Sequence, residues 1–225
     1  INELLYRKAL AYELVLRLKG GDPYVFGRGG EEALYLTEKG IPVEVIPGVS
    51  SCIAALTCSG IPVTHRGISR GFHVLTAHTK SDIMYNIDFS RLGASSETCI
   101  FMMGIKHLDD IVNVLIEAGR NMHTPAAVIS NGTAPDQKKC IGTLETISGL
   151  VKSSDITSPA IIAVGDVVSL TEELSFFERR PLFGRTYLIP FIESGSFSFQ
   201  KGWRSDKTSR LSEMLKEQGA GTMNL

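Results

Sequence analysis

Leu14-Val15-Leu16-Arg17-Leu18-Lys19-Gly20-Gly21-Asp22-Pro23-Tyr24-Val25-Phe26-Gly27-Arg28-Gly29-Gly30-Glu31-Glu32 is the stretch on which the fold turns. Leu14 to Leu18, a short and mostly apolar run, reads as a short strand. Five glycines then fall within eleven residues, Gly20 to Gly30, more than one turn requires. A helix follows over about 30–39 and stops at Gly40. A strand, a glycine-rich loop and a helix in succession are the repeating unit of an α/β fold.

The same rhythm continues in both directions. Upstream, about 2–12 reads as an amphipathic helix. Downstream, Pro42 to Ile46 alternates as a strand and Pro47-Gly48 breaks it. Residues 50–59 read as a short helix ended by Gly60. Strands are predicted at Phe72 to Ala77, Thr98 to Met103, Ala126 to Ser130, Lys138 to Ile141 and Ala160 to Val164, with a weak helix over 82–92 and a helix from Leu144 to Lys152. Leu108, Ile111, Val112 and Leu115 stand at i, i+3, i+4 and i+7, the clearest helical stripe in the chain, and Gly119 ends it. Residues 174–186 break the rhythm with the aromatic and basic run Phe176-Phe177-Glu178-Arg179-Arg180-Pro181-Leu182-Phe183-Gly184-Arg185. A strand over Thr186 to Pro190, a Ser/Gly-rich loop and a helix over about 205–218 then begin a second α/β unit. The domain boundary is therefore expected near 180.

Composition narrows the class. Across 225 residues the chain is 43% hydrophobic and 21% charged, with a net charge of -1. That balance argues against a nucleic-acid binder, which carries a basic excess. No apolar run approaches the ~20 residues that span a bilayer, and no signal segment opens the chain. Cys52, Cys58, Cys99 and Cys140 never fall in C-x-x-C spacing, so four reduced thiols rather than a zinc site are expected. A cytoplasmic setting follows. The chain opens Ile1-Asn2-Glu3-Leu4-Leu5, already in helical pattern and without Met, and is expected to be part of a longer protein.

Four local patterns point to ligands. Glycines directly after a strand let a ligand approach the backbone, and in open α/β sheets ligands sit beyond the carboxyl ends of strands. Gly20, Gly21 and Asp22 stand there, in neither a dinucleotide fingerprint nor a P-loop. On spacing alone, a tight turn serving only backbone geometry explains them equally well. Pro47-Gly48-Val49-Ser50-Ser51 opens a helix, where hydroxyls and free N–H groups hold anions or simply cap the helix. From Val45 to Ser81 there is no Asp or Glu, while His65, Arg66, Arg70, His73, His78 and Lys80 all fall there, with Arg17, Lys19 and Arg28 upstream. This local positive field suits an anionic ligand, and arginine pairs with carboxylates through two parallel bonds. Met102-Met103-Gly104, Asn131-Gly132-Thr133-Ala134-Pro135 and Ser158-Pro159-Ala160 are strand-end turns that also satisfy ordinary turn chemistry. The histidines show no metal-ligand clustering.

Taken together and in order, these motifs resemble the tetrapyrrole methylase family. The resemblance runs from Leu18-Lys19-Gly20-Gly21-Asp22-Pro23 to Glu32, through Ile46-Pro47-Gly48-Val49-Ser50-Ser51 and Gly60-Ile61-Pro62-Val63-Thr64-His65-Arg66-Gly67. It continues at Met102-Met103-Gly104, Asn131-Gly132-Thr133-Ala134, Gly142-Thr143-Leu144 and Pro159-Ala160-Ile161-Ile162-Ala163-Val164-Gly165, covering roughly residues 1–180. It implies two α/β subdomains with the cofactor in the cleft between them, the first subdomain incomplete here, and a homodimer when complete. It implies S-adenosyl-L-methionine as methyl donor, held by Gly20, Gly21, Asp22 and Val25 together with Ser50, Ser51, Met103 and Gly132. It implies uroporphyrinogen III as substrate, methylated at two ring carbons to precorrin-2 for sirohaem or cobalamin, with Arg17, Arg28, His65 and Arg66 anchoring its carboxylates.

The family's N-terminal loop and proton-transfer residues have no counterpart in this sequence. No catalytic acid or base is therefore assigned, and the piece is expected to be inactive alone or poorly folded. The domains expected are a methylase domain over 1–180 and, over 181–225, a segment that resembles the opening of a uroporphyrinogen-III synthase domain. A cobalt-precorrin, RNA or diphthamide methylase would share the fold. A binding fragment without turnover is the alternative from another class.

Overall fold

The computed structural model describes residues 1–77, 89–189 and 213–224. By contacts the chain divides into two compact units, Ile1–Ala54 and Ala55–Leu225.

The first unit holds two helices, α1 (Asn2–Ala11) and α2 (Gly29–Glu38), and ends inside a third, α3 (Ser51–Cys58). The two helices are tied by the Tyr35 hydroxyl, which donates to the Glu3 carboxylate at 2.7 Å. Lys39 lies over the rings of Tyr6 and Tyr35, 4.8 and 5.0 Å from their centroids. The strands expected at Leu14 to Leu18 and Pro42 to Ile46 are not formed: neither segment pairs in a ladder among the described residues. The physical reason is that alternation marks a half-buried face, and a strand exists only when a neighbour takes its hydrogen bonds. Here Leu14, Leu16, Leu18 and Ile46 remain largely exposed.

The second unit is organised around a five-stranded mixed sheet. Its strands are β1 (Phe72–Thr76), β2 (Thr98–Met102), β3 (Pro125–Ser130), β4 (Lys138–Thr143) and β5 (Ala160–Val164), in spatial order β1-β2-β5-β3-β4. β1 and β2 are parallel, β5 is antiparallel to both its neighbours, and β3 and β4 form an antiparallel pair. The central strands are buried on both faces, as their continuous apolar runs require. Cys99, Phe101, Ala126, Val128, Ile162 and Val164 form the core with helices α4 (Phe89–Ala94), α5 (Leu108–Glu117) and α6 (Ile147–Lys152). Ile100, Ala127, Ile129 and Ala163, at the intervening positions, are equally inaccessible. The α5 stripe Leu108, Ile111, Val112 and Leu115 is buried as its spacing predicts.

Helix α6 starts at Ile147 rather than Leu144, because Thr143 to Thr146 close a turn in which the Thr146 hydroxyl accepts from the Thr143 N–H at 2.9 Å. Arg120, 7% exposed, donates to the carbonyls of Leu92 (3.2 Å), Ser95 and Glu97 (3.0 Å), clasping the end of α4 and the turn into β2. Of the helix expected over 82–92, only residues 89–92 fall among the described residues.

After a short helix α7 (Thr171–Leu174), the aromatic run packs Phe177 edge-on against Phe183, with Arg180 stacked 4.8 Å above the Phe177 ring. β6 (Thr186–Ile189) then pairs in parallel with β7 (Gly221–Asn224), and residues 213–217 are helical. Residues 205–212 of the expected helix, and Pro190, lie outside the described residues. All four cysteines are free thiols. Among the described residues no helix is long and apolar enough to cross a membrane, and no three His, Cys, Asp or Glu side chains gather as metal ligands.

Candidate functional site

In the first unit, two loops are locked together through backbone atoms. Gly21 adopts φ +72°, the left-handed region that favours glycine. A Cβ there would lie 3.0 Å from Ser50 Oγ, and one on Gly48 would lie 2.6 Å from the Gly21 carbonyl oxygen. The Asp22 N–H donates to Ser50 Oγ at 2.9 Å, so buried Ser50 serves the neighbouring loop. The Asp22 carboxylate accepts the Tyr24 N–H at 2.8 Å and the Gly48 N–H at 3.2 Å. An ionised carboxylate has about four acceptor sites, so Asp22 braces both loops and still has capacity for a ligand. Gly20 has open space where its Cβ would stand. Val25 and Ser51 are exposed. This unit therefore gathers Gly20, Gly21, Asp22 and Ser50 at one small, glycine-walled feature, with Ser51 following at the start of α3.

In the second unit the strand directions collect a rim. β2 ends at Met102 opposite Ile161 near the start of β5, and β3 ends at Ser130 opposite Ala160. The turns at Met103, at Asn131-Gly132-Thr133 and at Pro159 thus share one edge of the sheet. Met103, Asn131 and Thr133 all have positive φ, at 56°, 49° and 75°. Outside glycine this region is uncommon, and for a β-branched residue such as Thr133 it is an outlier. Such strain costs on the order of 1–3 kcal/mol per residue and collects at ligand sites. Met103 is half exposed, and a Cβ on Gly104 behind it would lie 2.9 Å from Ile111 Cδ1. A Cβ on Gly132 would run into the Ala55 methyl and reach 3.0 Å from Ala55 Cα. The Asn131 N–H donates to the Pro159 carbonyl at 3.0 Å, joining two of the turns.

The four residues expected to anchor carboxylates behave differently from one another. Arg17 Nη2 lies 3.5 Å from Glu32, which is bonded more closely by Lys19 at 2.9 Å. Burial alone would raise the Glu32 pKa, but the Lys19 and Arg17 cations bring it below its ordinary value. Arg28 pairs with Glu31 at 2.6 Å, and that hydrogen bond lowers the Glu31 pKa. The positive field read upstream is therefore matched by carboxylates on the first turn of α2. His65 and Arg66 stand exposed on a tight turn, in which His65 and Ser69 bond reciprocally at 3.0 and 2.9 Å and Gly67 takes φ +86°. His73 pairs with Glu97 at 2.6 Å. His78 and Lys80 lie outside the described residues.

Two features escaped the sequence reading. Glu32 is the acceptor that fixes Lys19 beside the glycine loop, which its i, i+1 placement with Glu31 on a helix start does not reveal. Gln137 and Glu178 brace the Gly132 turn across 41 positions, a separation at which no pattern is readable.

Residues 1–148 match the family described as Tetrapyrrole (Corrin/Porphyrin) Methylases. That span takes in Gly20, Gly21, Asp22, Ser50, Ser51, Met103 and Gly132. The porphyrin biosynthesis protein HemD of Ruminiclostridium josui is 46% identical over 189 residues, 84% of this chain and 38% of that protein. A uroporphyrinogen-III C-methyltransferase of Bacillus subtilis is 44% identical over 178 residues, 79% of this chain and 69% of that protein. The chain thus spans about two fifths of the first of these relatives and about two thirds of the second. Among solved structures, the uroporphyrin-III C-methyl transferase of Thermus thermophilus complexed with S-adenyl homocysteine superposes with a TM-score of 0.65 at 34% identity, covering 75% of this chain and 73% of that one.

Proposed function

Since the chain belongs to the tetrapyrrole methylase family, we propose that it carries the cofactor-binding part of an S-adenosyl-L-methionine-dependent methyltransferase acting on ring carbons of uroporphyrinogen III. The observation that carries this reading is the glycine-walled pair of loops. At Gly21 and Gly48 any side chain would collide with the facing loop and push the two loops apart, while Gly20 faces open space and Asp22 keeps acceptor capacity. An adenosine-bearing ligand with hydroxyls and an ammonium group fits such donors and acceptors. Val25, Ser51, Met103 and Gly132 complete the proposed cofactor set. The exposed Met103 side chain offers a polarizable apolar contact for a base.

The bound sulfonium supplies a methyl group already activated toward a carbon nucleophile. What remains for the chain is alignment and exclusion of water, which in favourable cases lowers a barrier by about 7–11 kcal/mol. His65 and Arg66, exposed on their turn, are the proposed first anchors of the substrate carboxylates. Arg17 and Arg28 would take the same role by sharing themselves between Glu32 or Glu31 and the substrate. A homodimer working in the cytoplasm is part of the same reading. The proposal also keeps a methylase domain over 1–180 and the start of a uroporphyrinogen-III synthase domain over 181–225. The parallel β6–β7 pair with a helical stretch before β7 supports a new α/β unit there.

The test is calorimetric titration of the chain with S-adenosylhomocysteine beside an Asp22→Ala variant. One-site saturable binding is expected, weakened about tenfold or more in the variant, since two braced loops lose a charged acceptor worth about 1.5 kcal/mol or more. A chain shown folded by circular dichroism that takes up no ligand would overturn the reading.

A further inference from the structure

Thr133 holds a β-branched side chain at φ +75°, so something must keep it there. Its N–H donates to Gln137 Oε1 at 2.8 Å. The Gln137 amide, 4% exposed, turns its Nε2 to Glu178 Oε1 at 2.7 Å. Only one orientation of that amide serves both partners, because the backbone N–H requires an acceptor and the carboxylate requires a donor.

Glu178 is itself held. Its second oxygen accepts the Ser175 hydroxyl at 2.7 Å, and Lys139 stands 3.4 Å away while donating to Ser175 Oγ at 2.6 Å. Burial alone would raise the Glu178 pKa, but these bonds, its own backbone N–H and Gln137 bring it below its ordinary value, so it is ionised at neutral pH. The segment carrying Ser175 and Glu178 is anchored beneath the turn that ends α3. There the Thr171 hydroxyl donates to the Ser59 carbonyl at 2.5 Å, and a Cβ on Gly60 would strike the Ser175 backbone. Ser175 and Glu178 lie beyond residue 148, outside the matched family span, in the run whose pattern departs from the α/β rhythm.

We infer that Gln137 and Glu178 are positioning residues: as a clamp reaching in from residues 171–178, they hold the Asn131-Gly132-Thr133 turn in its left-handed form and so set the affinity of the adjoining rim for an adenosine-bearing ligand. This rests on the cofactor reading above for the ligand, and on the hydrogen bonds alone for the clamp.

The test uses the whole chain and a swap. In Gln137→Glu two carboxylates face each other and the clamp opens. In the double variant Gln137→Glu/Glu178→Gln the amide and the carboxylate exchange places; the bonds to the Thr133 N–H, between positions 137 and 178 and from Ser175 can re-form with the net local charge unchanged, while Lys139 loses its ion pair at position 178. Two readouts are taken: amide hydrogen exchange at Thr133 and Ala134, and the Kd for S-adenosylhomocysteine. Gln137→Glu is expected to speed exchange at Thr133 and to weaken binding about tenfold or more, and the double variant is expected to restore both to within about threefold, tenfold being the scale of one lost hydrogen bond. Ile147→Val, a core change remote from the rim, lowers Tm without moving either readout. Unchanged exchange at Thr133 in Gln137→Glu, or failure of the swap to rescue it, overturns the clamp. Altered exchange with unaltered Kd overturns the link to the ligand. A wild-type chain that binds no ligand removes the functional reading and the ligand half together, while the exchange result still decides the clamp.

Discussion

Gly132→Ala is the most demanding single change the rim offers. The added methyl would run into the Ala55 side chain and approach Ala55 Cα to 3.0 Å. Ala55 is 1% exposed and sits within α3, so it has no free volume to retreat into. Overpacking of a close-packed interior costs about 1–3 kcal/mol, and in a chain of this size each kcal/mol corresponds to about 2–4 °C in Tm. The variant is therefore expected to melt about 2–12 °C below the parent chain by calorimetry. Because the strain falls on the turn between Asn131 and Thr133, the Kd for S-adenosylhomocysteine should rise with it. A double-mutant cycle identifies the cause. Ala55→Gly alone costs about 0.5–1 kcal/mol as a helix-interior glycine, but it removes the methyl that Gly132→Ala meets. The pair should then be more stable than the sum of the single losses by about 1 kcal/mol, the coupling expected of residues in contact. A Gly132→Ala protein melting within about 1 °C of the parent, or strict additivity in the cycle, would refute the close-approach argument.

Other outcomes follow from the described contacts. Arg120→Met removes the donor from a buried carbonyl at Leu92 and from partly buried ones at Ser95 and Glu97; a loss of about 2 kcal/mol or more is expected in urea denaturation, and a variant within about 1 kcal/mol of the parent would contradict it. Glu32 has its pKa held below the ordinary value when folded, so its contribution to stability is complete above about pH 5 and is lost as pH falls through the folded pKa. The stability gap between the parent and Glu32→Gln should accordingly shrink on going from about pH 7 to about pH 3, and a gap independent of pH would rule this out. Burial raises the thiol pKa of Cys52 and Cys99, so alkylation at neutral pH should proceed there only after denaturation; rapid labelling of either in the native chain would contradict the burial.

The sequence revealed those parts of the structure whose signals are local. The α5 stripe and the apolar run of β5 each specify an element and its buried face together, because periodicity and packing demand the same residues. Pro42 to Ile46 shows the limit of that logic: alternation describes what a strand would bury, but a ladder needs a second chain segment to complete it. At the candidate site, the Gly20-Gly21-Asp22 and Ser50-Ser51 motifs were readable because glycine and N-terminal hydroxyls carry their geometry in their own chemistry. Arg120 was not, since an arginine after a helix-ending glycine reads as solvated, and only the fold brings three carbonyls to it. Gln137 and Glu178 were equally hidden, being ordinary polar residues until the chain returns over the Gly132 turn. The paired state of Arg17 and Arg28 was missed for a related reason: counting charges along the chain does not show that α2 presents Glu31 and Glu32 to them.

The left-handed residues at the rim also bear on how this protein could be engineered. Glycine at 103, 131 or 133 would relax the backbone, and each such exchange could raise stability by about 1 kcal/mol at positions where strain is the dominant cost. A search that selects only for heat resistance would be drawn to these three sites. It would at the same time strip away the Met103 side chain of the proposed cofactor set and the Asn131–Asp136 hydrogen bond inside the turn, trading the proposed recognition for robustness. The same positions are therefore where libraries aimed at a new ligand should concentrate their diversity, and where consensus stabilisation should be withheld.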